Sequence, residues 1–287
     1  MDRPMQRLRR RLAALVLGLL TAVTVTPIAM AQAPRPWEIG MQPAFSPVKQ
    51  RIIALHDLVL VIITLITIFV GVLLAWVIYR YNERRNPNPS RTSHHTLLEV
   101  AWTILPVLIL VVIAIPSFRL VYYEDRTNKA DLTVKVTGHQ WYWEYTYPDK
   151  NNLDFSSYVV PDDQLKPGQL RLLDVDNPLV VPAGKNIRIL TTSADVIHSF
   201  FIPSLGVQRY AIPGRTIETW FRANKPGMFY GQCNQICGTN HSRMPIAVQA
   251  VPEQEFNAWL EQAKTKFSEA APSGSTGKAV SVAEAQP

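Results

Sequence analysis

Uninterrupted apolar runs fill the first part of the chain, and short alternations fill the rest. Leu58 to Tyr79 carries no charge over 22 residues, and Val100 to Phe118 carries none over 19. At about 1.5 Å per residue such a run spans the roughly 30 Å hydrocarbon core of a bilayer. Two membrane helices are therefore predicted, over about 52–80 and 97–120. Pro106 falls inside the second, which a membrane helix tolerates when neighbours satisfy the carbonyl it frees. The shorter run Leu12 to Val25 follows Arg7, Arg9, Arg10 and Arg11 and leads to Ala29-Met30-Ala31. That order predicts a signal peptide over 1–31, cleaved before Gln32.

From Leu132 onward the apolar period shortens to two. Alternation is clear in Leu132–Val136 and Ile187–Leu190, and Leu170–Val175, Ile217–Phe221 and Ile246–Val251 are further strand candidates. Turn chemistry separates them at Lys166-Pro167-Gly168, Asp176-Asn177-Pro178, Pro182-Ala183-Gly184, Pro213-Gly214 and Lys225-Pro226-Gly227. Many short strands with regular turns predict an all-β sandwich or barrel. After Pro252 the spacing of Phe256, Trp259 and Leu260 predicts a short amphipathic helix. The Ala-, Ser- and Gly-rich stretch 268–287 reads as a disordered tail. Four regions result: 1–31, a hairpin within 32–125, an exported domain over 126–267, and the tail.

Charge fixes the orientation. The formal net charge is +7, yet residues 131–287 hold 14 Lys and Arg against 15 Asp and Glu. The excess sits at the extreme N-terminus and in the loop 80–99, where Arg80, Arg84, Arg85 and Arg91 face Glu83 and Glu99. Basic loops stay in the cytoplasm, so the mature N-terminus and everything after about residue 120 lie outside. Basicity spent on topology gives no support to nucleic-acid binding, and no basic-aromatic motif accompanies it.

The chemistry concentrates in Cys233-Asn234-Gln235-Ile236-Cys237-Gly238-Thr239-Asn240-His241-Ser242-Arg243-Met244-Pro245, with His198 upstream. Soft sulfur with imidazole selects copper or zinc over hard cations. A blue-copper site needs two His, one Cys and a weak Met, and this set adds a second Cys. The extra thiolate allows both sulfurs to bridge two metals. Two exported cysteines can instead form a disulfide, a reading that His and Met at these spacings disfavour. His198 or Met244 alone would pass as core.

From about residue 45 to 252 the chain resembles cytochrome c oxidase subunit II. The likeness runs through Glu99-Val100-Ala101-Trp102-Thr103-Ile104-Leu105-Pro106, Gly138-His139-Gln140-Trp141-Tyr142-Trp143, Leu165-Lys166-Pro167-Gly168 and Asp174-Val175-Asp176-Asn177. It continues through Pro203-Ser204-Leu205-Gly206, Ala211-Ile212-Pro213-Gly214-Arg215 and Tyr230-Gly231-Gln232-Cys233. The resemblance implies a two-helix transmembrane hairpin followed by an all-β cupredoxin-like Greek-key sandwich, in a bacterial inner membrane with the β domain on the periplasmic side.

It also implies a binuclear copper centre, CuA, held by His198, Cys233, Cys237, His241, Met244 and the main-chain carbonyl of Gln235. Trp141 matches the residue where electrons enter from cytochrome c, and Glu99 the mouth of a proton channel into subunit I. The implied partners are cytochrome c, the haem-containing subunit I, subunit III and the bilayer. The implied activity is electron transfer from cytochrome c to the haem of subunit I, for reduction of oxygen coupled to proton translocation.

A basic cytochrome calls for a carboxylate face, for which Asp154, Asp176 and Asp195 are candidates. Gln235 stands where the family has Glu. A neutral amide offers a hard cation less than a carboxylate does, so weakened or absent magnesium at the subunit I boundary is expected. Arg243 also departs, since Phe is common there. Quinol oxidase subunits share the fold but lack the copper ligands. A membrane-tethered copper carrier would need neither Glu99 nor the aromatic patch.

Overall fold

The computed structural model describes residues 33–125 and 129–268. The expected leader at 1–31, and residues 269–287 of the expected tail, lie outside the described residues.

Two long helices come first: α1, Pro47–Arg80, and α2, Thr96–Asp125. They are longer than the apolar runs predicted because polar residues continue them beyond the hydrocarbon. Ser46 caps α1: its hydroxyl accepts from the Lys49 N–H at 3.0 Å, and Pro47 takes the first turn, where no donor is needed. α2 contains Pro106 and also Pro116. Apolar side chains of both helices face outward, Phe69 and Ile78 among them, as hydrocarbon-solvated helices require.

The strands form two five-stranded sheets. Sheet one orders β3 (Leu153–Ser157), β2 (Tyr142–Tyr147), β1 (Leu132–His139), β5 (Ile187–Ser193) and β8 (Ile217–Phe221). Sheet two orders β4 (Leu179–Pro182), β10 (Pro245–Val251), β9 (Gly227–Cys233), β6 (His198–Ile202) and β7 (Val207–Ala211). The pairs β1–β5 and β4–β10 are parallel and the others antiparallel. This is the sandwich expected.

The core fills with Val134, Val136, Trp143, Tyr145, Ile187 and Ile189 from one sheet and Phe200, Ile202, Phe229 and Val248 from the other. Each buried aliphatic or Phe side chain contributes about 1.5–3 kcal/mol. β2 and β5 alternate buried with half-exposed positions, whereas β4 and most of β10 are buried throughout. β10 is covered on both faces: Val248 enters the core, while Ala247 packs with Val175 and Tyr230 on the other side. Helix α3, Glu253–Ser268, closes one end through Phe256 and Leu260, and Trp259 packs 5.7 Å from the Tyr147 ring.

Leu170–Val175, expected as a strand, is mostly turns, with Val175 alone paired in an isolated antiparallel bridge to Val159. Leu172 takes φ 62°, outside the extended region, and Asp174 bonds the Leu170 N–H and the Tyr230 hydroxyl. A side chain that captures its own backbone this way competes with a ladder and wins.

Both outer ends of the hairpin are fastened to the sandwich. Ser46 donates to the Leu205 carbonyl at 2.5 Å, and Asn224 N–H donates to Phe45 O at 2.8 Å. From the other helix, Tyr123 O accepts the Trp220 indole N–H at 2.7 Å, Glu124 O accepts the Thr219 hydroxyl, and Asp125 pairs with Arg209. The sandwich therefore stands directly above the membrane end of the hairpin.

Candidate metal centre

Strand pairing builds the site. β6 begins at His198, β9 ends at Cys233, and the register sets Phe200 opposite Cys233. The loop leaving Cys233 returns to β10 at Pro245, and its neck closes by Cys233 N–H to Met244 O at 3.2 Å. Asn234 N–H donates to Ser199 O at 3.1 Å, stitching the loop to β6. A short turn at His241–Arg243 brings the second imidazole back over the loop.

Six donor atoms converge there. The two sulfurs lie 3.8 Å apart; Cys233 Sγ is 3.9 Å from His198 Nδ1 and 3.3 Å from the Gln235 carbonyl oxygen. Cys237 Sγ is 3.5 Å from His241 Nδ1 and 3.6 Å from Met244 Sδ. A disulfide needs about 2.05 Å between sulfurs, so both cysteines are free thiols. Sulfurs at 3.8 Å can share an ion at metal–sulfur bonds of about 2.3 Å, since the gap is less than twice that length. His198, Cys233 and Cys237 form a compact group that could hold a metal ion, while His241 flanks Cys237. Each imidazole thus addresses a different sulfur, and the donors outnumber what one tetrahedral ion takes.

Ionisation of the two thiols is asymmetric. Burial pushes the Cys233 thiol up, but contacts with His198 and the main chain at Ser199 and Gln235 outweigh it and bring the thiol to about 7. Burial and then the neighbouring Cys233 sulfur push Cys237 up to about 12. Two adjacent thiolates need a cation between them, which is what a metal ion supplies.

The surrounding residues fix the ligands. The His198 side chain has no solvent exposure, and its Nε2–H donates to Asp195 Oδ1 at 2.8 Å, leaving Nδ1 as the lone-pair nitrogen beside Cys233. Burial lowers the His198 pKa, but Cys233 and Asp195 together raise it above the ordinary imidazole value. Asp195 itself is shifted up by burial and further down by His198 and by the N–H groups of Val196 and Gln140, so it stays ionised. Trp143 stands edge-on to the His198 ring and donates to Met244 O at 3.4 Å. Gly138 leaves room for His198: a Cβ there would lie 2.8 Å from the ring.

Trp141 is half-buried over the loop, its Nε1–H donating to Cys237 O at 3.3 Å, and Gln140 donates to the same carbonyl at 2.7 Å. Gly238 (φ 124°) fits under the indole, where a Cβ would approach within 2.9 Å. Sequence reading passed over Gln140, Gly138 and Asp195 in these supporting roles. Only the Asp195–His198 spacing carried a local signal; Gln140 meets Cys237 across 97 positions.

The three carboxylates proposed for docking have separate surroundings. Asp195 supports His198. Asp176 accepts from Tyr158 N–H and Asn177 N–H. Asp154 lies opposite Thr146 on the edge strand β3, near the far end of β2 from Trp141. Glu99 sits in the first turn of α2 and accepts from His95 N–H at 3.2 Å, at the opposite end of the hairpin from the sulfurs. Arg243 shares Asp162 with Arg171, at 3.8 and 2.9 Å, which ties the ligand loop to the 158–176 segment.

Two family profiles cover most of the chain: cytochrome c oxidase subunit II, transmembrane domain, over residues 34–120, and cytochrome c oxidase subunit II, periplasmic domain, over residues 132–251. The chain belongs to the cytochrome c oxidase subunit II family. It is 46% identical over 245 residues to a probable cytochrome c oxidase subunit 2 of Rickettsia bellii, covering 85% of this chain and 91% of that one. It is 46% identical over 239 residues to cytochrome c oxidase subunit 2 of Zea mays, covering 81% and 92%. Among solved structures, the periplasmic domain of subunit II of cytochrome oxidase from Bradyrhizobium japonicum is 54% identical, covers 50% of this chain and 99% of its own, and has a TM-score of 0.47. As a subunit II, the chain crosses the membrane twice through α1 and α2. Its sandwich is the periplasmic domain of CuA type, with His198, Cys233 and Cys237 as candidate copper ligands.

Proposed function

We propose that this subunit takes electrons one at a time from cytochrome c at a binuclear copper centre and passes them to the haem of subunit I, where oxygen is reduced and protons are translocated. The observation that carries the reading is the pair of free sulfurs 3.8 Å apart, with an imidazole on each flank and a thioether and a carbonyl completing the set. His198, Cys233, Cys237, His241, Met244 and the Gln235 carbonyl would hold the two copper ions. When bound, copper supplies a one-electron acceptor whose charge spreads over both ions and both sulfurs.

The chain's own residues keep that acceptor stiff and reachable. Buried Cys233, Cys237, Met244 and His198 lock into the sandwich core, so the ligands move little between charge states. Asp195 holds the His198 tautomer. Trp141 is the side where cytochrome c arrives, because its half-exposed indole bonds directly to the carbonyl of Cys237. The bonds from Phe45, Ser46, Tyr123 and Glu124 hold the centre at a set height above the bilayer. Glu99, at the cytoplasmic end of α2, is the group placed to receive protons.

The test is rapid mixing of the purified oxidase complex with reduced cytochrome c. Copper–thiolate absorbance should bleach as the cytochrome is oxidised, and both changes should vanish in Cys233→Ser and His241→Asn. A complex lacking Cys233 that still oxidises cytochrome c at the native rate would overturn the proposal.

A further inference from the structure

The outer ends of α1 and α2 enclose a groove of about 290 Å³ that the electron path does not use, lined by Arg51, Leu55, Leu58, Pro116, Arg119 and Leu120. Its walls are apolar and two guanidiniums stand on its rim. Arg119 directly follows the charge-free run of α2, and Arg51 precedes that of α1 by seven residues, so both lie at headgroup level on the periplasmic side. Arginine there opposes the charge bias that orients the hairpin.

Arg51 is held with its guanidinium carbon 3.5 Å above the Tyr123 ring, one helical turn beyond Arg119. Among the described residues neither arginine pairs with a carboxylate; Asp57, the nearest in sequence to Arg51, is engaged by His56 at 3.2 Å. Two guanidinium forks with no carboxylate partner among the described residues match phosphate in charge and geometry. Leu55 and Leu58, nearer the hydrocarbon than Arg51, and Pro116, nearer it than Arg119, match acyl chains, which a free anion would leave unused.

We propose that this groove binds one anionic phospholipid of the periplasmic leaflet, its phosphate between Arg51 and Arg119 and its chains along Leu55, Leu58 and Pro116. Bound lipid would brace the two helices where they carry the copper domain.

Native mass spectrometry of the purified complex in non-ionic detergent tests this, with phosphatidylglycerol, phosphatidylcholine of matched chains, and inorganic phosphate as probes. Phosphatidylglycerol should be retained in preference to phosphatidylcholine and not be displaced by inorganic phosphate. Retention should fall about five-fold in each of Arg51→Gln and Arg119→Gln. Arg84→Gln, in the cytoplasmic loop, should leave it unchanged. Because Arg51 also stacks on Tyr123, Arg51→Lys serves as the second variant: it keeps the charge and should keep the lipid preference. Equal retention of both lipids, displacement by phosphate, or native retention in the double Gln variant would each overturn the proposal.

Discussion

Replacing Asp195 by Asn removes one charge from behind the candidate copper site. With the amide oxygen kept toward His198, the new NH2 also meets the Gln140 N–H that Asp195 Oδ2 accepts, so the loss worked out from the charge alone is a lower bound. His198 Nε2 lies 2.8 Å from Asp195 Oδ1, and the His198 side chain has no exposure through which water could substitute. A hydrogen bond to a charged group contributes about 1.5–3 kcal/mol, and a neutral one about 0.5–1.5. The difference, about 1–1.5 kcal/mol, corresponds to roughly ten-fold weaker copper binding. Asp195→Ala leaves the buried Nε2–H with no acceptor, so its loss should approach the ~100-fold upper range for groups that orient a metal-bound imidazole. The assay is a chelator competition titration of copper into the full-length chain, with thermal melts of the metal-free forms to separate folding from binding. Native copper affinity in both variants would refute the positioning role. If salt dependence of cytochrome c oxidation changed instead, Asp195 would be a docking carboxylate and not a support for His198.

Four further outcomes follow from the same geometry. Trp141→Leu should raise the KM for cytochrome c by about 30-fold, a hot-spot loss of about 2 kcal/mol, while the copper spectrum stays native; an unchanged KM discards its contact role. Copper uptake by the metal-free chain should strengthen with pH, because Cys233 near 7 and Cys237 near 12 must both lose protons. The rise should be steeper below pH 7, where both thiols hold protons, than above it, at about ten-fold per pH unit for each proton released; pH-independent uptake contradicts this. Gly138→Ala should push against the His198 ring and cost about 1–3 kcal/mol of stability with loss of copper loading, read by melting and metal analysis. Gln235→Glu should raise the magnesium content of the purified complex from a low native level, since a carboxylate suits a hard cation better than an amide; stoichiometric magnesium in the native complex would refute that reasoning.

The parts legible in sequence were those whose physics is local. Two charge-free runs meet a length criterion set by the bilayer, and Cys233 to Met244 place four donors within twelve residues. Strands with one wet face, such as β1 and β5, announced themselves by alternation. β4, covered on both faces, shows no period two and was not expected; neither were β3, β6, β7 and β9, nor β2, although β2 alternates buried and half-exposed positions. Leu170–Val175 misled because its apolar spacing resembles a strand, while the deciding contact, Asp174 to Tyr230, spans 56 positions. The supports of the site were hidden for the same reason. Gln140 and Trp141 reach Cys237 only after β2 and the ligand loop are brought together by folding. The fastening of the hairpin to the sandwich, through Trp220 and Tyr123, likewise leaves no mark on either segment alone.

The most direct examination is electron paramagnetic resonance of the copper-loaded full-length chain, with metal analysis of the same sample. Two copper ions per chain, and hyperfine splitting from one unpaired electron shared equally by two copper nuclei, are the predicted result. A single copper ion with a one-nucleus pattern, or a colourless chain with Cys233 joined to Cys237, would contradict a thiolate-bridged pair.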